Sequence, residues 1–426
     1  MAKKVAVVTL GCKINLYDSQ AMLQKFADAG YDIVDFDRCA DIDVCIVNTC
    51  CVTNAAEKKS RQMVRKVKSK SGIVAVMGCA GEAAPDSFRE IGADITVGTS
   101  NRLEIFDFVE GNFQKPVDDA IADFAFVDKI SDRTRAFLKI QDGCDNLCTY
   151  CIVPHVRGRS RSRPAVDVLT QGQHFAAMGA KEIVISGIHA ASYGKDFKGG
   201  AISLLTILKQ ICGIEDVLRI RLSSIEPLAI TQQFLDFIET NSKFCNHLHL
   251  SLQSGCDRIL KLMNRKYSAA DFGDTVEKLR RIRPEISITT DIIVGFPTET
   301  DAEYAETLNF AEKIGFADIH VFPYAAKTGT VAAGMSGQIS SKIKKARATE
   351  LIALAAKLKK QYQSNFLGQT MEVLVEGQNA DGFFVGKTDN YMSVTFKAKS
   401  DEELTNQLVP VHLKSLCIGG ISGTLS

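Results

Sequence analysis

From residue 5 to about residue 366 the chain alternates short apolar runs with helical stretches, and that rhythm leaves few folds open. In the first part, runs at 5–10, 44–47, 73–77 and 95–97 read as strands, and 17–29, 54–70 and 85–91 as helices between them. Strands separated by helices pair in parallel, so this part reads as a doubly wound parallel sheet with helices on both faces. Cys12, Cys50 and Cys79 each follow one of three such strands directly. The carboxyl ends of parallel strands share one edge, where ligands bind, so three cysteines far apart in sequence converge there.

A polar stretch at 111–133 reads as a linker, after which the rhythm resumes. Strands are expected at 136–140, 182–186, 218–222, 248–251, 286–294 and 318–321, with helices between them. Six such units suggest a partial (β/α)6 barrel with its chemistry at the carboxyl ends of the strands. A Lys-rich helix at 341–366 closes that part. From residue 370 the pattern changes to short strands at 371–375, 382–385, 391–396 and 408–412 with glycines at the turns, which suits a small five-stranded antiparallel barrel similar to an OB-fold. The chain is therefore expected to divide at 1–115, 130–362 and 363–426, an α/β protein with a β-barrel tail.

The run Cys144-Asp-Asn-Leu-Cys148-Thr-Tyr-Cys151 would sit in the loop after the first barrel strand. Three thiolates at C-x3-C-x2-C spacing can hold three irons of a four-iron cluster and leave the fourth without a protein ligand. The amino and carboxylate groups of S-adenosylmethionine (SAM) can chelate that open iron. An electron from the cluster then splits the sulfonium into methionine and a 5'-deoxyadenosyl radical. The alternative is zinc, because His155 would complete a Cys3His set, but this spacing is not a usual zinc knuckle.

Thirteen cysteines fit metal or redox chemistry in a reducing compartment better than a disulfide framework. The apolar start at 5–10 is too short for a signal peptide or a membrane span, so the protein is expected to be cytoplasmic with no membrane partner. With 51 basic and 50 acidic residues, total charge gives no argument for a nucleic-acid partner; only local clustering does.

The flanks Phe137-Leu-Lys-Ile-Gln-Asp-Gly-Cys144 and Cys151-Ile-Val-Pro-His-Val-Arg-Gly resemble those of radical SAM enzymes. With Thr9-Leu-Gly-Cys12-Lys-Ile-Asn15, Val47-Asn-Thr-Cys50 and Met77-Gly-Cys79 added, nearly the whole chain resembles the radical SAM methylthiotransferases. The resemblance implies two 4Fe-4S clusters: a radical cluster on Cys144, Cys148 and Cys151, and an auxiliary cluster on Cys12, Cys50 and Cys79. It also implies an RNA-binding TRAM domain at the tail. Lys13-Ile-Asn15 and Val52-Thr-Asn-Ala-Ala-Glu-Lys-Lys-Ser-Arg61 look like the branch acting on threonylcarbamoyladenosine in tRNA. The isopentenyladenosine branch usually has Gln-Met-Asn after the first cysteine, and the branch modifying a ribosomal-protein aspartate has Pro-Lys-Asn.

The implied reaction replaces the hydrogen at carbon 2 of N6-threonylcarbamoyladenosine, beside the anticodon, with a methylthio group. One SAM supplies the methyl and another the radical; a reductant protein and a sulfur source are further partners. Isopentenyladenosine as target, or a zinc-containing RNA-binding protein without catalysis, are the alternatives. Resemblance also suggests SAM contacts from Tyr150, Gly187, Glu226, Gln253 and Arg265, with Arg265 pairing the methionine carboxylate. Each has a structural alternative, a core tyrosine for Tyr150 and a barrel-edge ion pair for Glu226 and Arg265. Three departures stand out: a second cysteine at Cys51, Thr298 where glycine is common, and a 325–330 loop without the usual serine and arginine. Neighbours in an extended chain face opposite ways, so Cys50 and Cys51 do not both point at one cluster, and the Asn-Thr-Cys match favours Cys50.

Basic residues crowd the helix from Lys58 to Lys70, and Arg157, Arg159, Arg161 and Arg163 alternate after the cluster loop. The first set reads as a solvated face and the second as a grip on phosphate. From Gln361 onward acidic residues outnumber basic ones and no arginine occurs. RNA binding by the tail would then rest on stacking by Tyr391, Phe383 or Phe384 and on a few lysines.

Overall fold

The computed structural model describes residues 2–112, 124–128, 134–200, 202–398 and 403–426. The expected linker at 111–133 falls for the most part outside the described residues.

The first sheet runs Asp32–Ile33, Lys4–Thr9, Ile42–Thr49, Ser71–Gly78, Ile95–Thr96, all in parallel. Its central strand is buried at every position but Asp43, because both faces are covered. Val44 and Ile46 pack with Met22 and Phe26 of the helix Lys13–Asp28 on one face; Cys45 and Val47 pack with Val64 and Val67 of Asn54–Lys68 on the other. This alternation is the period of two expected of a strand between two helix layers. The edge strand Asp32–Ile33 was not expected from the sequence; two exposed residues carry no periodic signal.

Six parallel strands form the central barrel: Arg135–Asp142, Glu182–Gly187, Arg219–Leu222, His247–His249, Ser287–Val294 and Asp318–Pro323. Isolated bridges Ile220↔Phe244 and Ile225↔Leu250 join the third to the fourth. No pairing among the described residues closes the first strand on the last, so the barrel is partial, as expected. The outward residues Leu138, Ile140, Ile183, Ile185, Ile220 and Leu222 belong to one large core with the surrounding helices. The helix Ser341–Ser364 lies against the last strand.

The tail is a closed barrel of Thr370–Gln378, Phe384–Thr388, Ser393–Lys397, Gly420–Leu425 and Leu408–Cys417 in that spatial order. One of its pairings, Ser393–Lys397 with Gly420–Leu425, is parallel; the others are antiparallel. It docks on the amino-terminal ends of the central strands, opposite to the cysteine loop. Arg219 donates to the carbonyls of Lys387 and Glu372 at 3.1 and 3.0 Å, and Arg221 to that of Asp389 at 2.8 Å. Two expected stacking residues are therefore spoken for. Phe384 lies in the tail's core, and Tyr391 is turned toward the central barrel with its ring 4.6 Å from the Arg221 guanidinium.

The departure at residue 298 has a backbone meaning. Thr298 is exposed at φ +66°, in the left-handed region, with its N–H donating to Gly337 O at 2.8 Å. Glycine reaches that conformation without a Cβ penalty, and a β-branched side chain does not. Thr298→Gly is expected to leave stability unchanged or raise it by about 1 kcal/mol, and never to lower it by more than that, in urea unfolding curves.

Candidate active site

The loop after Arg135–Asp142 turns at Gly143, whose φ of +69° and approach to Arg159 O leave no room for a side chain: a Cβ there would sit 1.9 Å from that oxygen. Beyond the turn, Cys144, Cys148 and Cys151 wall a cavity of about 310 Å³. Tyr150, Glu226, Gln253 and Arg265 line the same cavity. Arg265 donates to Cys148 Sγ at 3.3 Å and pairs with Glu226 at 3.0 Å. Glu226 also accepts from Asn146 at 3.0 Å and lies 3.5 Å from His189 Nε2. Burial alone would raise the Glu226 carboxyl, but His189, Arg265 and Asn146 hold it below its ordinary value. Gln253 is held at φ +73°, a conformation that costs energy outside glycine and clusters at functional sites. Gly187 lies just beyond, in the wall of a second cavity, against Gln141 and Ala190.

The other three cysteines meet at the carboxyl edge of the first sheet. Cys50 lies within electrostatic reach of both Cys12 and Cys79. Cys51 is buried in the apolar layer with Val47, Cys79 and Ile152, within electrostatic reach of Cys79 and Cys50 as well as of Lys327 and Glu57. Gly11, at φ +109°, lets the chain pass so close to Cys50 that a Cβ would stand 2.9 Å from the Cys50 Cβ. Cys12 is the N-cap residue of the helix Lys13–Asp28, with its Sγ 3.8 Å from Asn15 Oδ1.

Arg157 was expected to hold phosphate, and the structure corrects this. It is only 2% exposed, donates to Cys79 Sγ at 3.3 Å and Asn15 Oδ1 at 2.7 Å, and pairs with Asp142 at 2.9 Å and Asp18 at 3.3 Å. Lys139 and Arg102 bind the same two carboxylates. Burial would raise the Asp142 carboxyl, but Arg157, Lys139 and Arg102 hold it well below its usual value. Arg163 is also buried, donating to the Tyr17 hydroxyl at 2.8 Å. Of the four arginines, Arg159 is exposed, beside Asp145, and Arg161 is partly buried, donating to the carbonyls of Arg157 and Arg159. Lys58 and Lys59 are exposed on their helix and Arg61 pairs with Glu57.

The second cavity, about 770 Å³, runs through the barrel from Cys12 to the tail and shares Val52, Val153, Ile188, Ser224, Asp291 and Phe322 with the first. Its walls are the inward residues of the strands, and these are polar: His247 and His249, Thr289 and Asp291, Asp318 and His320. Asp291 lies 3.2 Å from His249 Nε2 and 3.1 Å from His320 Nδ1, a constellation not singled out from the sequence. Its signal was present: the polar positions recur with period two, the mark of one face of a strand. Asn146, His189 and the Arg157 network were also missed, because their partners lie far away in the chain.

Residues 138–311 match the Radical SAM superfamily, 4–98 the Uncharacterized protein family UPF0004, and 365–415 the TRAM domain. The threonylcarbamoyladenosine tRNA methylthiotransferase MtaB of Bacillus subtilis (strain 168) is 40% identical, with 96% of this chain and 93% of that protein covered. The chain belongs to the MtaB-like radical SAM methylthiotransferases. The Thermotoga maritima MtaB is 34% identical over 98% of this chain and 96% of its own length. The tRNA-2-methylthio-N(6)-dimethylallyladenosine synthase of Acetivibrio thermocellus is also 34% identical, over 98% and 90%. Among solved structures, the radical SAM methyltransferase TsrM of Kitasatospora setae shares the fold, with a TM-score of 0.56 at 12% identity over 76% of this chain and 72% of that one.

This methylthiotransferase is an enzyme that takes two 4Fe-4S clusters and SAM. The donors present fit. All six cysteines are free. Among the described residues, neither triplet brings its three sulfurs all within 4.8 Å of one another, whereas tetrahedral zinc at a Zn–S distance of about 2.3 Å draws its sulfurs to about 3.8 Å. His155, the fourth ligand of a zinc reading, is exposed.

Two outcomes follow for this family member. Iron and acid-labile sulfide per chain should stay at the wild-type value in Cys51→Ser and fall by one cluster's worth in Cys50→Ala; equal losses would show the ligand to be misassigned. His320 is held above its ordinary value of 6.5 by its bond to Asp291. A raised folded value stabilises fully below the unfolded one and ceases to do so as pH climbs through the folded one. His320→Gln should therefore lower the thermal midpoint at about pH 6 and have little effect at about pH 9, as read by scanning calorimetry.

Proposed function

We propose that the enzyme installs a methylthio group on carbon 2 of N6-threonylcarbamoyladenosine beside the anticodon of a tRNA, in the cytoplasm, with a reductant protein and a sulfur source as partners. The observation that carries this reading is the pair of joined cavities: Cys144, Cys148 and Cys151 border one, Cys12 of the second triplet borders the other, and the two share a wall. In this reading Cys144, Cys148 and Cys151 hold the radical cluster, Cys12, Cys50 and Cys79 the auxiliary one, and the working units are 1–115, 130–362 and 363–426. When bound, the clusters and SAM supply the radical and the methylthio group, which is how an unactivated ring C–H bond comes within reach.

The chain's own residues bind and orient. Arg265, beside Cys148, is placed to pair the methionine carboxylate, and Glu226 to accept from the ammonium while Asn146 and His189 hold it in place. Tyr150 and Gln253 wall the SAM cavity, and Gly187, in the wall of the larger one, packs where a side chain would press on Gln141 and Ala190. Arg157 donates to Cys79 from a network with one more cation than carboxylates, which suits an anionic cluster of thiolates and sulfide.

Two features support the threonylcarbamoyl target over the isopentenyl one: the Lys13-Ile-Asn15 sequence after Cys12, and one relative named for that target at 40% identity against 34% for the Acetivibrio thermocellus synthase. The test is reconstituted enzyme with matched anticodon stem-loops carrying either modification, followed by nucleoside mass spectrometry. The threonylcarbamoyl stem-loop should gain a methylthio group preferentially; preferential conversion of the isopentenyl one would overturn the substrate assignment and keep the chemistry.

A further inference from the structure

The floor of the large cavity, where the tail barrel closes it, holds more positive charge than its carboxylates balance. Glu182 is taken by Arg221 through bonds of 2.7 and 3.0 Å, and Glu376 by Arg135 at 2.7 Å. Asp318 on the wall is taken by Lys359 at 2.7 Å, and Asp291 by the two histidines. Lys13 and Lys387 remain. Both line the cavity, and among the described residues neither has a carboxylate partner. Lys387 Nζ donates to Ser393 Oγ at 2.6 Å and stands 4.9 Å from the centre of the Tyr391 ring. The Tyr391 oxygen accepts from Arg135 at 3.3 Å, which leaves its O–H to donate. Burial would raise this phenol, yet Arg135, Lys13 and Lys387 together bring it below its ordinary value. Tyr391 is also held at φ +71°, so the backbone accepts a penalty to place the ring there. Cations gathered in a secluded space without a counter-charge are costly unless an anion joins them.

We propose that Lys13, Lys387 and the Tyr391 hydroxyl form an oxyanion subsite that receives the carboxylate at the end of the threonylcarbamoyl group. This deepens the substrate reading above and rests on it. The subsite is split between the two ends of the chain: Lys13 comes from the first domain, directly after Cys12, and Lys387 and Tyr391 come from the tail. An N6 substituent of a base lying near the cysteines would extend along the barrel toward this floor. The neutral isopentenyl group would leave both ammonium groups unpaired there. The tail then contributes to choosing the substrate from inside the catalytic cavity. A backbone phosphate of the same RNA offers the same oxyanion chemistry, and the arms of the test separate the two.

The test is fluorescence anisotropy of the cluster-loaded enzyme with three stem-loops that differ only at the modified adenosine: the threonylcarbamoyl form, its carboxamide analogue, and unmodified adenosine. Wild type should prefer acid over amide on the order of ten- to a hundred-fold. Lys13→Met and Lys387→Met should each bring that preference close to one, Lys13→Arg should restore it, and iron content should stay at the wild-type value. No preference in wild type, or a preference that survives in both Met variants, overturns the subsite. Equal weakening for all three RNAs overturns it in favour of a phosphate contact. A wild type that converts the isopentenyl stem-loop preferentially fails the substrate reading instead, so the two failures are distinct.

Discussion

The architecture turns on five charged side chains buried together: Asp18 from the first domain, Asp142 and Lys139 from the first barrel strand, Arg157 from the turn after the cysteine loop, and Arg102 from the end of the first domain. Such a network adds little net stability, because removing five charges from water costs about what their pairing returns. Its value is geometric. Arg157 bonds Cys79 and Asn15 of one domain and Asp142 of the other, so the two cysteine triplets are tied to one rigid group of bonds. In the proposed reaction a radical formed at one site and a sulfur delivered at the other meet the same carbon, and misplacement by about 1 Å can cost a hundredfold in rate.

A second constraint is that the barrel interior is not packed. In a closed barrel the inward side chains fill the core. Here the inward positions are His, Thr, Asp and Arg on successive strands, while the apolar positions face the helices. Polar groups lining an enclosed space are satisfied by pairing with one another, as Asp291 is with His249 and His320. The tail barrel then stops the amino-terminal end. Cavity, catalysis and tail docking are thus consequences of one strand pattern.

Much of this was legible in the sequence because strand and helix periods are local. Both cysteine triplets, the three-part order and the open barrel follow from patterns a few residues long. The alternating arginines after the cysteine loop were not legible in the same way. Arg157 and Arg163 look like phosphate ligands until Asp18, 139 residues from Arg157, and Tyr17, 146 from Arg163, are seen to claim them. Burial of a charge depends on partners supplied by the whole fold, and no local pattern encodes it. Thr298 is the reverse case: the position where glycine is common is one whose backbone is left-handed, and a motif departure became a statement about φ.

The tail's composition has the same kind of explanation. An arginine-free, mildly acidic barrel is a poor partner for RNA by charge alone. It is a good partner for the amino-terminal edge of the central strands, where Arg135, Arg219 and Arg221 present guanidinium groups. Arg219 and Arg221 donate to tail carbonyls, Arg135 pairs with Glu376, and Arg135 and Arg221 both lie against the Tyr391 ring. Arginines on the tail side would meet these like charges at the interface. The lack of arginine that weakens the case for RNA binding thus keeps guanidinium charge off the docking face, and docking is what brings Lys387 and Tyr391 to the floor of the cavity that Cys12 borders at its other end.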